Sequence, residues 1–295
     1  MIRNQNETGL NFQDIYNNEF LTVPGFSINR LFLRNIKYTL IDFHRLDGVQ
    51  YIPLGKRHTG LVAALIKPFL KLINSLNYDL VQVKKYDKLK RINGEDWPEN
   101  AESMIGLKRM NNIQYCIEQI IKDNIGGDLI ETGVWRGGAS IFMKANLMVH
   151  GSQKKLFVCD SFEGLPKPTL EQDKGDKHYT HKILSVSQEQ VTNNFKKYGM
   201  LDNNVVFKKG WFKDTMPSLR SEKFSLIRLD GDMYESTMDV LQNIYDNLSV
   251  GGFVIVDDWA LPGCQKAIND FRKERGITEK LVVIDNIAVY WRKEK

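Results

Sequence analysis

Short apolar runs alternate with amphipathic stretches along the chain from about residue 100 onward. Each run is rich in Val, Ile, Leu and Phe, as in a buried strand, and the stretches between runs repeat their apolar residues at helical spacing. The predicted strands are 128–133, 155–160, 204–210, 224–232 and 251–258. The predicted helices are 101–125, 139–149, 187–198, 235–248 and 264–275. Strands that alternate with helices predict a parallel sheet with helices on both faces.

The C-terminal stretch 281–292 departs from this alternation, because it contains two short apolar runs without a helix between them. It predicts a hairpin of two final strands. A terminal antiparallel pair is typical of the class I methyltransferase variant of the doubly wound fold. The predicted fold class is therefore α/β: a Rossmann-like, doubly wound, mostly parallel sheet with a C-terminal antiparallel hairpin and an N-terminal extension.

The N-terminal extension, residues 1–77, is less regular than the rest of the chain. Residues 1–60 show no clean periodicity, whereas the apolar positions between Leu61 and Leu76 repeat at helical spacing and predict a helix. Such a helix packs on the main domain, forms a subunit contact or lies on a membrane surface, and the first two are its ordinary roles. The sequence thus predicts an extension of unassigned role followed by a catalytic domain of residues 78–295.

Composition narrows the possible partners. Most of the net charge of +5 lies in the first hundred residues, and the near-neutral remainder argues against a nucleic-acid partner. The three cysteines, Cys116, Cys159 and Cys264, are widely spaced and predict buried free thiols rather than disulfides or a zinc site.

Lysines and a proline break the most apolar stretch, 61–76, and the chain start lacks the apolar core of a secretory signal. We expect no transmembrane segment and a cytoplasmic protein.

The first two predicted strands end in residues suited to binding a small molecule. Glycines 133, 137 and 138 follow the first strand and permit close backbone approach to a ligand, although their spacing is not the GxGxxG of a pyrophosphate cradle. Asp160 ends the second strand, where a carboxylate can accept hydrogen bonds from both hydroxyls of a ribose. The alternative for Asp160 is a turn or helix-capping aspartate.

Four aspartates follow the next two neighbouring strands. Asp230 and Asp232 lie at the end of the predicted strand 224–232, and Asp257 and Asp258 lie at the end of the predicted strand 251–258. The carboxyl ends of parallel strands meet at one edge of the sheet, where these like charges would raise one another's pKa. A hard divalent cation, most naturally Mg²⁺, relieves that repulsion. The alternative, that single aspartates cap the following helices, explains four together poorly.

Several ordered motifs resemble the macrocin O-methyltransferase family, whose members methylate sugar hydroxyls on macrolides and aminocoumarins. The motifs are ETGVWRGG from Glu131, DSFEGLP from Asp160, GWFKDTMP from Gly210, LDGDMYEST from Leu229 and VDDW from Val256. The segments DWP from Asp96, MIGLKRM from Met104 and 186–199 also fit. The resemblance covers residues 78–292, and the order of the motifs makes it specific.

The resemblance implies an S-adenosylmethionine- and Mg²⁺-dependent enzyme that methylates a sugar hydroxyl of a glycosylated natural product or a glycan. It implies Asp232 as the general base. The implied Mg²⁺ ligands are Asp230, Asp257 and Asp258. The implied residues of the cofactor site are Met104, Glu131, Thr132, Gly133, Asp160, Ser161, Gly210, Trp211 and Asp230.

The resemblance also implies that residues 163–186 form a mobile lid over the acceptor. His181 lies in this segment, and we expect an exposed loop histidine there rather than a second base. Similar enzymes are commonly homo-oligomers, so a homo-oligomer is expected here. The identity of the acceptor is expected to depend on the lid and on residues 1–100.

Two other functions stay open on the sequence alone. A metal-dependent O-methyltransferase of a catechol or other phenol would use the metal in the same way, but its acceptor hydroxyl would be more acidic than that of a sugar. A non-catalytic cofactor-binding or scaffold protein would keep the fold without turnover, although retention of all four aspartates counts against it. An NAD-dependent dehydrogenase is disfavoured by the glycine spacing.

Overall fold

The computed structural model describes residues 27–45, 49–54 and 61–295. Its strands are β1 (Val49–Pro53), β2 (Val81–Lys85), β3 (Asp128–Thr132), β4 (Leu156–Asp160), β5 (Val205–Lys209), β6 (Phe224–Leu229), β7 (Leu248–Val256), β8 (Val282–Val283) and β9 (Val289–Arg292). Within these residues, seven strands form one sheet in the order β5-β4-β3-β6-β7-β9-β8. The pairs from β5 to β7 are parallel, and β9 is antiparallel to both β7 and β8. The predicted fold class, including the C-terminal hairpin, is confirmed.

Helices cover both faces of this sheet. The helices of the described residues are α1 (Ile28–Leu40), α2 (Leu61–Ser75), α3 (Lys88–Asn93), α4 (Leu107–Lys122), α5 (Gly138–Val149), α6 (Gln188–Lys197), α7 (Phe212–Thr215), α8 (Tyr234–Ile244) and α9 (Pro262–Glu274). Neighbouring strand residues such as Leu129 and Ile130 point to opposite faces and join different core clusters. The first cluster includes side chains of α1, α4, α5 and α6, and the second includes side chains of α8 and α9.

Two predicted helices are shorter than their periodicity indicated. The predicted helix 101–125 begins only at Leu107, and the predicted helix 235–248 ends at Ile244, so that Leu248 already opens β7. Residues 101–106 form a loop because tertiary contacts hold their backbone. The backbone N–H groups of Glu102 and Ser103 both donate to the carbonyl of Leu40, at the end of α1.

The predicted strand 224–232 ends at Leu229, because the chain turns sharply after it. Asp232 has a φ of +59°, a left-handed conformation that cannot continue a strand. Residues 230–232 are therefore a turn at the edge of the sheet rather than its last strand residues.

The described part of the N-terminal extension divides between the core and the surface. Leu33 and Leu40 of α1 lie in the first core cluster, and buried Lys37 donates to the side-chain oxygen of Asn111 at 2.7 Å. The predicted helix 61–76 is confirmed as α2, but Leu65 and Phe69 are largely exposed. The domain boundary after residue 77 stays a prediction, and residues 1–26, 46–48 and 55–60 of that extension lie outside the described residues.

The described helices include none with both the length and the apolar composition needed to cross a membrane. All three cysteines are buried and free, as the sequence predicts.

Candidate active site

The predicted site residues gather where the order of the sheet reverses. β3 lies between β4 on one side and β6 on the other, although it precedes both in the chain. In an open α/β sheet, the loops after such strands separate and leave a crevice at their carboxyl ends. The loops after β3, β6 and β7 carry Gly133, Asp230 and Asp257 into this crevice, and Asp160 reaches it as the last residue of β4.

Gly133 brings two of these loops into contact. Its φ is +89°, and a Cβ at this position would lie 1.7 Å from the carbonyl oxygen of Asp230. The backbone N–H of Gly133 donates to the carbonyl of Cys159, and the N–H of Asp230 donates to that of Thr132, each at 2.9 Å. Only glycine tolerates both this backbone angle and the close contact with the Asp230 carbonyl, so the packing of the two loops requires a glycine here.

Asp160 joins the loop after β3 to the loop after β4. Its carboxylate accepts from the backbone N–H of Val134 at 2.8 Å and from that of Phe162 at 2.7 Å. Burial raises the pKa of Asp160, and these hydrogen bonds oppose the rise. These contacts correspond to the turn-aspartate alternative, while the carboxylate still borders the crevice. The assignment of Asp160 to a ribose stays a prediction.

Arg228 in β6 holds three carboxylates together beneath the crevice. The fully buried guanidinium pairs with Glu131, with Asp230 at 2.7 Å and with Asp257 at 2.5 Å. Glu131 also accepts from the hydroxyl of Ser140. Burial raises the pKa of Glu131 to about 7, although Arg228 and Ser140 act against the rise. Sequence reasoning missed Arg228, whose signal was a single charged residue inside an apolar strand.

Arg109 in α4 is a second buried cation that sequence reasoning missed. It pairs with Asp257 and, at 3.1 Å, with Asp285. Burial alone would raise the pKa of Asp257, but Arg109 and Arg228 outweigh it and hold that pKa below its usual value. Asp257 is therefore an ionised carboxylate locked between two guanidinium groups.

The charges of Asp230 and Asp258 are less completely compensated by neighbouring cations than the charge of Asp257. Burial raises the pKa of Asp230 to about 8, with repulsion from Asp257 and Asp232 opposing the effect of Arg228. Burial and repulsion from Asp232 and Asp230 raise the pKa of Asp258 well above its usual value. Asp258 accepts the backbone N–H of Asp232 at 3.0 Å.

The acidic cluster has the donor set of a site for a hard cation. Asp230, Asp257 and Asp258 can each present one carboxylate oxygen within 4.8 Å of the others. Carboxylate oxygens are the ligands that Mg²⁺ prefers, and a bound dication would remove the repulsion that raises the pKa values of Asp230 and Asp258. The residues present therefore fit the implied metal.

Two adjoining cavities open above the cluster. The first, which we name the cofactor-side cavity, contains most of the predicted cofactor residues: Met104, Gly133, Asp160, Ser161, Gly210, Trp211 and Asp230. The second, which we name the acceptor-side cavity because the segment expected to cover an acceptor borders it, is lined by residues that include Trp97, His178, Asp257 and Asp258. Both cavities are lined by Met104, Val134, Trp135, Leu184, Asp230 and Asp232. Asp232 thus lies at the boundary between the two cavities and borders both.

Three predicted residues occupy distinctive places around these cavities. Glu131 borders the acceptor-side cavity, whereas Thr132 is buried behind both, with its hydroxyl donating to the carbonyl of Arg228 at 3.2 Å. Met104 is held at the boundary because buried Arg91 donates to its carbonyl and, at 2.7 Å, to that of Ile105.

Residues 163–186 cover both cavities with loops and short 3₁₀ turns. His181 is exposed on this segment, as expected. His178, which the sequence pattern does not single out, faces the acceptor-side cavity, with its Nδ1 3.1 Å from Asp176. Burial lowers the pKa of His178, but Asp176 and the charge of Asp232 outweigh it and raise that pKa.

We expect His178→Gln to lower kcat/KM about tenfold, equivalent to the loss of about one hydrogen bond to the acceptor. His150→Gln is the matched control, because it makes the same change at the end of α5, on an exposed side chain that lines neither cavity. Steady-state methyl transfer by the two variants checks this. Equal rates for the two would remove His178 from the site.

Comparisons with known proteins agree with this geometry. A family model described as macrocin-O-methyltransferase (TylF) matches residues 32–293. The 8-demethyl-8-(2,3-dimethoxy-alpha-L-rhamnosyl)-tetracenomycin-C 4'-O-methyltransferase of Streptomyces olivaceus is 48% identical over 207 residues, 68% of this chain and 79% of the relative. The demethyldecarbamoylnovobiocin O-methyltransferase of Streptomyces niveus is 44% identical over 211 residues, 70% of this chain and 80% of the relative.

A solved structure is similar over nearly the whole chain. The O-methyltransferase NovP superposes with a TM-score of 0.76 at 36% sequence identity, covering 90% of this chain and 100% of NovP. The residues matched by the family model include the part of the chain that carries the crevice. The chain therefore belongs to the macrocin O-methyltransferase family of S-adenosylmethionine-dependent enzymes.

Proposed function

We propose that this enzyme transfers the methyl group of S-adenosylmethionine to a sugar hydroxyl of a glycosylated natural product or a glycan, with Mg²⁺ bound by Asp230, Asp257 and Asp258. The single observation that carries the proposal is the acidic cluster at the junction of the two cavities. The Streptomyces olivaceus relative is named as a methyltransferase of a rhamnosyl-bearing compound, which supports a sugar as the acceptor.

The cofactor-side cavity suits a positively charged sulfonium compound. Asp160 and Asp230 bring carboxyl groups to its lining, and Trp211 offers an aromatic surface for an adenine. Gly164, Leu165 and Thr169 of the segment 163–186 border one side of this cavity. Met104 and Asp230 line both cavities and would border bound S-adenosylmethionine on the side of the acceptor.

Asp232 is the proposed general base. A sugar hydroxyl has a pKa far above neutrality, so its proton must be removed as the new bond to carbon forms. Asp232 lines both cavities, and its backbone is held by Asp258 at 3.0 Å. Mg²⁺ at the cluster would supply Lewis-acid stabilisation of the developing oxygen charge. Positioning of both reactants by the two cavities contributes as well.

Calorimetric titration tests the cofactor and metal assignments. We expect micromolar binding of S-adenosylhomocysteine and saturable binding of Mg²⁺ by the wild type. Asp258→Asn should bind S-adenosylhomocysteine like the wild type but lose Mg²⁺ binding. Asp246→Asn, an exposed acid paired with Arg275, is the matched control. A folded wild type that binds neither S-adenosylmethionine nor S-adenosylhomocysteine would contradict the proposal and favour a non-catalytic scaffold.

An acceptor screen then tests the substrate class. Glycosides with vicinal hydroxyls should be methylated in the presence of Mg²⁺ and left unmodified with EDTA. Methylation of catechols, with glycosides inert, would replace the sugar with a phenol as the acceptor.

We also propose that the enzyme is a cytoplasmic homo-oligomer. Support for the compartment comes from the three buried free cysteines, which a reducing environment preserves. Support for self-association comes from α2, where Leu65, Phe69 and Leu72 share one exposed face. Light scattering of the purified protein measures the number of subunits.

A further inference from the structure

The turn that presents Asp232 lies directly before a helix whose own sequence supplies no capping side chain. α8 begins at Tyr234, and Met233 at the capping position makes no side-chain hydrogen bond to the helix. The first N–H groups of any helix lack partners within the helix. Asp232 itself has the left-handed φ of +59°, a conformation that a residue with a side chain keeps only where surrounding contacts hold it.

The missing partners come from the covering segment, 61 residues earlier in the chain. One carboxylate oxygen of Asp173 accepts from the backbone N–H of Tyr234 at 2.6 Å, and the other accepts from that of Glu235 at 3.1 Å. Asp173 is only 4% exposed. A carboxylate is favoured at a helix N-terminus because it meets both free donors and the positive end of the helix dipole.

The surroundings of Asp173 fit a docked position. A Cβ on Gly263 would lie 2.5 Å from a carboxylate oxygen of Asp173, so a larger residue there would displace that carboxylate. Two more bonds tie the covering segment down on either side. The hydroxyl of Thr169 donates to the carboxylate of Glu235 at 2.6 Å, and the indole of Trp135 donates to the carbonyl of Ile183 at 2.8 Å.

We propose that Asp173 is a positioning residue, which couples closure of residues 163–186 over the two cavities to the placement of Asp232. The inference rests on the proposed function of Asp232 as the base. With the segment docked, Asp232 is held between the bond from its N–H to Asp258 and the start of α8 completed by Asp173. With the segment lifted, the first turn of α8 loses its cap, and the base loses its fixed orientation. Proton transfer is thereby confined to the closed, water-excluding state.

The test compares Asp173→Ala with Glu171→Ala. Glu171 belongs to the same 3₁₀ turn and pairs with Lys174 in solvent, so its variant removes the same charge without touching α8. We expect Asp173→Ala to lower kcat about 10- to 100-fold, with affinity for S-adenosylhomocysteine within about threefold of the wild type. Asp173→Asn, which keeps one accepting oxygen, should fall between Asp173→Ala and the wild type. Glu171→Ala should match the wild type.

Hydrogen exchange of the backbone amides of Tyr234 and Glu235 gives a second readout that does not depend on turnover. With S-adenosylhomocysteine bound, both amides should exchange faster in Asp173→Ala than in Glu171→Ala. A wild-type kcat in Asp173→Ala, unchanged exchange at these amides, or parallel loss of ligand binding and thermal stability would each overturn the proposal. A wild type that methylates no acceptor would refute the proposed function, while the exchange measurement would still decide whether Asp173 holds the start of α8.

Discussion

Asp232→Asn is expected to lower kcat by about 10²- to 10⁴-fold, the contribution typical of a positioned general base. Binding of S-adenosylhomocysteine should be unchanged. The substitution preserves the shape of the side chain, and asparagine accepts the left-handed φ of +59° at least as readily as aspartate. The backbone N–H that donates to Asp258 also remains. The loss should therefore report on proton transfer rather than on folding.

The pH dependence of kcat should also differ between the wild type and Asp232→Asn. Burial raises the pKa of Asp232, against the hydrogen bond with Asp258 and the charge of His178. Asp232 must be ionised to accept a proton, so the wild-type rate should fall as the pH falls through this raised pKa. In Asp232→Asn that limb should disappear. A rate close to that of the wild type, with the limb intact, would remove Asp232 from the mechanism.

The sequence predicted the parts of the site that depend on local pattern. Asp160 ends one recognisable strand, Asp230 and Asp257 directly follow two others, and parallel strands bring their ends to one edge of the sheet. The clustering of Asp230, Asp257 and Asp258 could therefore be predicted from the order of strands along the chain, and the folded protein brings their carboxylates together.

What the sequence did not predict depends on contacts between distant segments. Arg228 lies 97 positions from Glu131, and Arg109 lies 148 positions from Asp257, so no spacing in the chain relates them. The start of α4 was predicted too early because periodicity alone does not register the backbone bonds from 102 and 103 to Leu40. The same limit applies to His178, which chain position alone does not distinguish from its exposed neighbour His181 as a residue of the cavity.

These unpredicted cations explain how so many carboxylates share one buried place. Arg228 and Arg109 contact Glu131, Asp230, Asp257 and Asp285, which gives each of these acids a partner without neutralising the whole group. Asp258 receives no such partner among the described residues and keeps its raised pKa. The arrangement therefore fixes the geometry of the cluster while leaving enough negative charge to attract a metal ion.

Arg228→Met is expected to lower the free energy of unfolding by about 3–5 kcal/mol, the usual cost of leaving buried charges without their partner. Methionine fills much of the same volume, so the loss should come from charge rather than from a cavity. Denaturant unfolding of the wild type and the variant, both with EDTA, measures it. Adding Glu131→Gln to Arg228→Met should recover part of the loss, because one of the unpaired carboxylates is then removed. That double variant also provides a folded species if Arg228→Met alone does not fold.

The loss of unfolding free energy in Arg228→Met should depend on pH, and the direction of the change follows from the pKa values of the buried carboxyl groups. The pKa of Glu131 is raised to about 7 and that of Asp230 to about 8 in the folded protein. A carboxyl group with a raised folded pKa favours folding while it is protonated, and this contribution is lost as the pH rises through the folded value. Without Arg228 both pKa values should rise further, so the deficit of Arg228→Met should be larger at about pH 8 than at about pH 5. An equal deficit at both would show that Arg228 stabilises the sheet by packing alone, and that the carboxylates beneath the crevice do not depend on its charge.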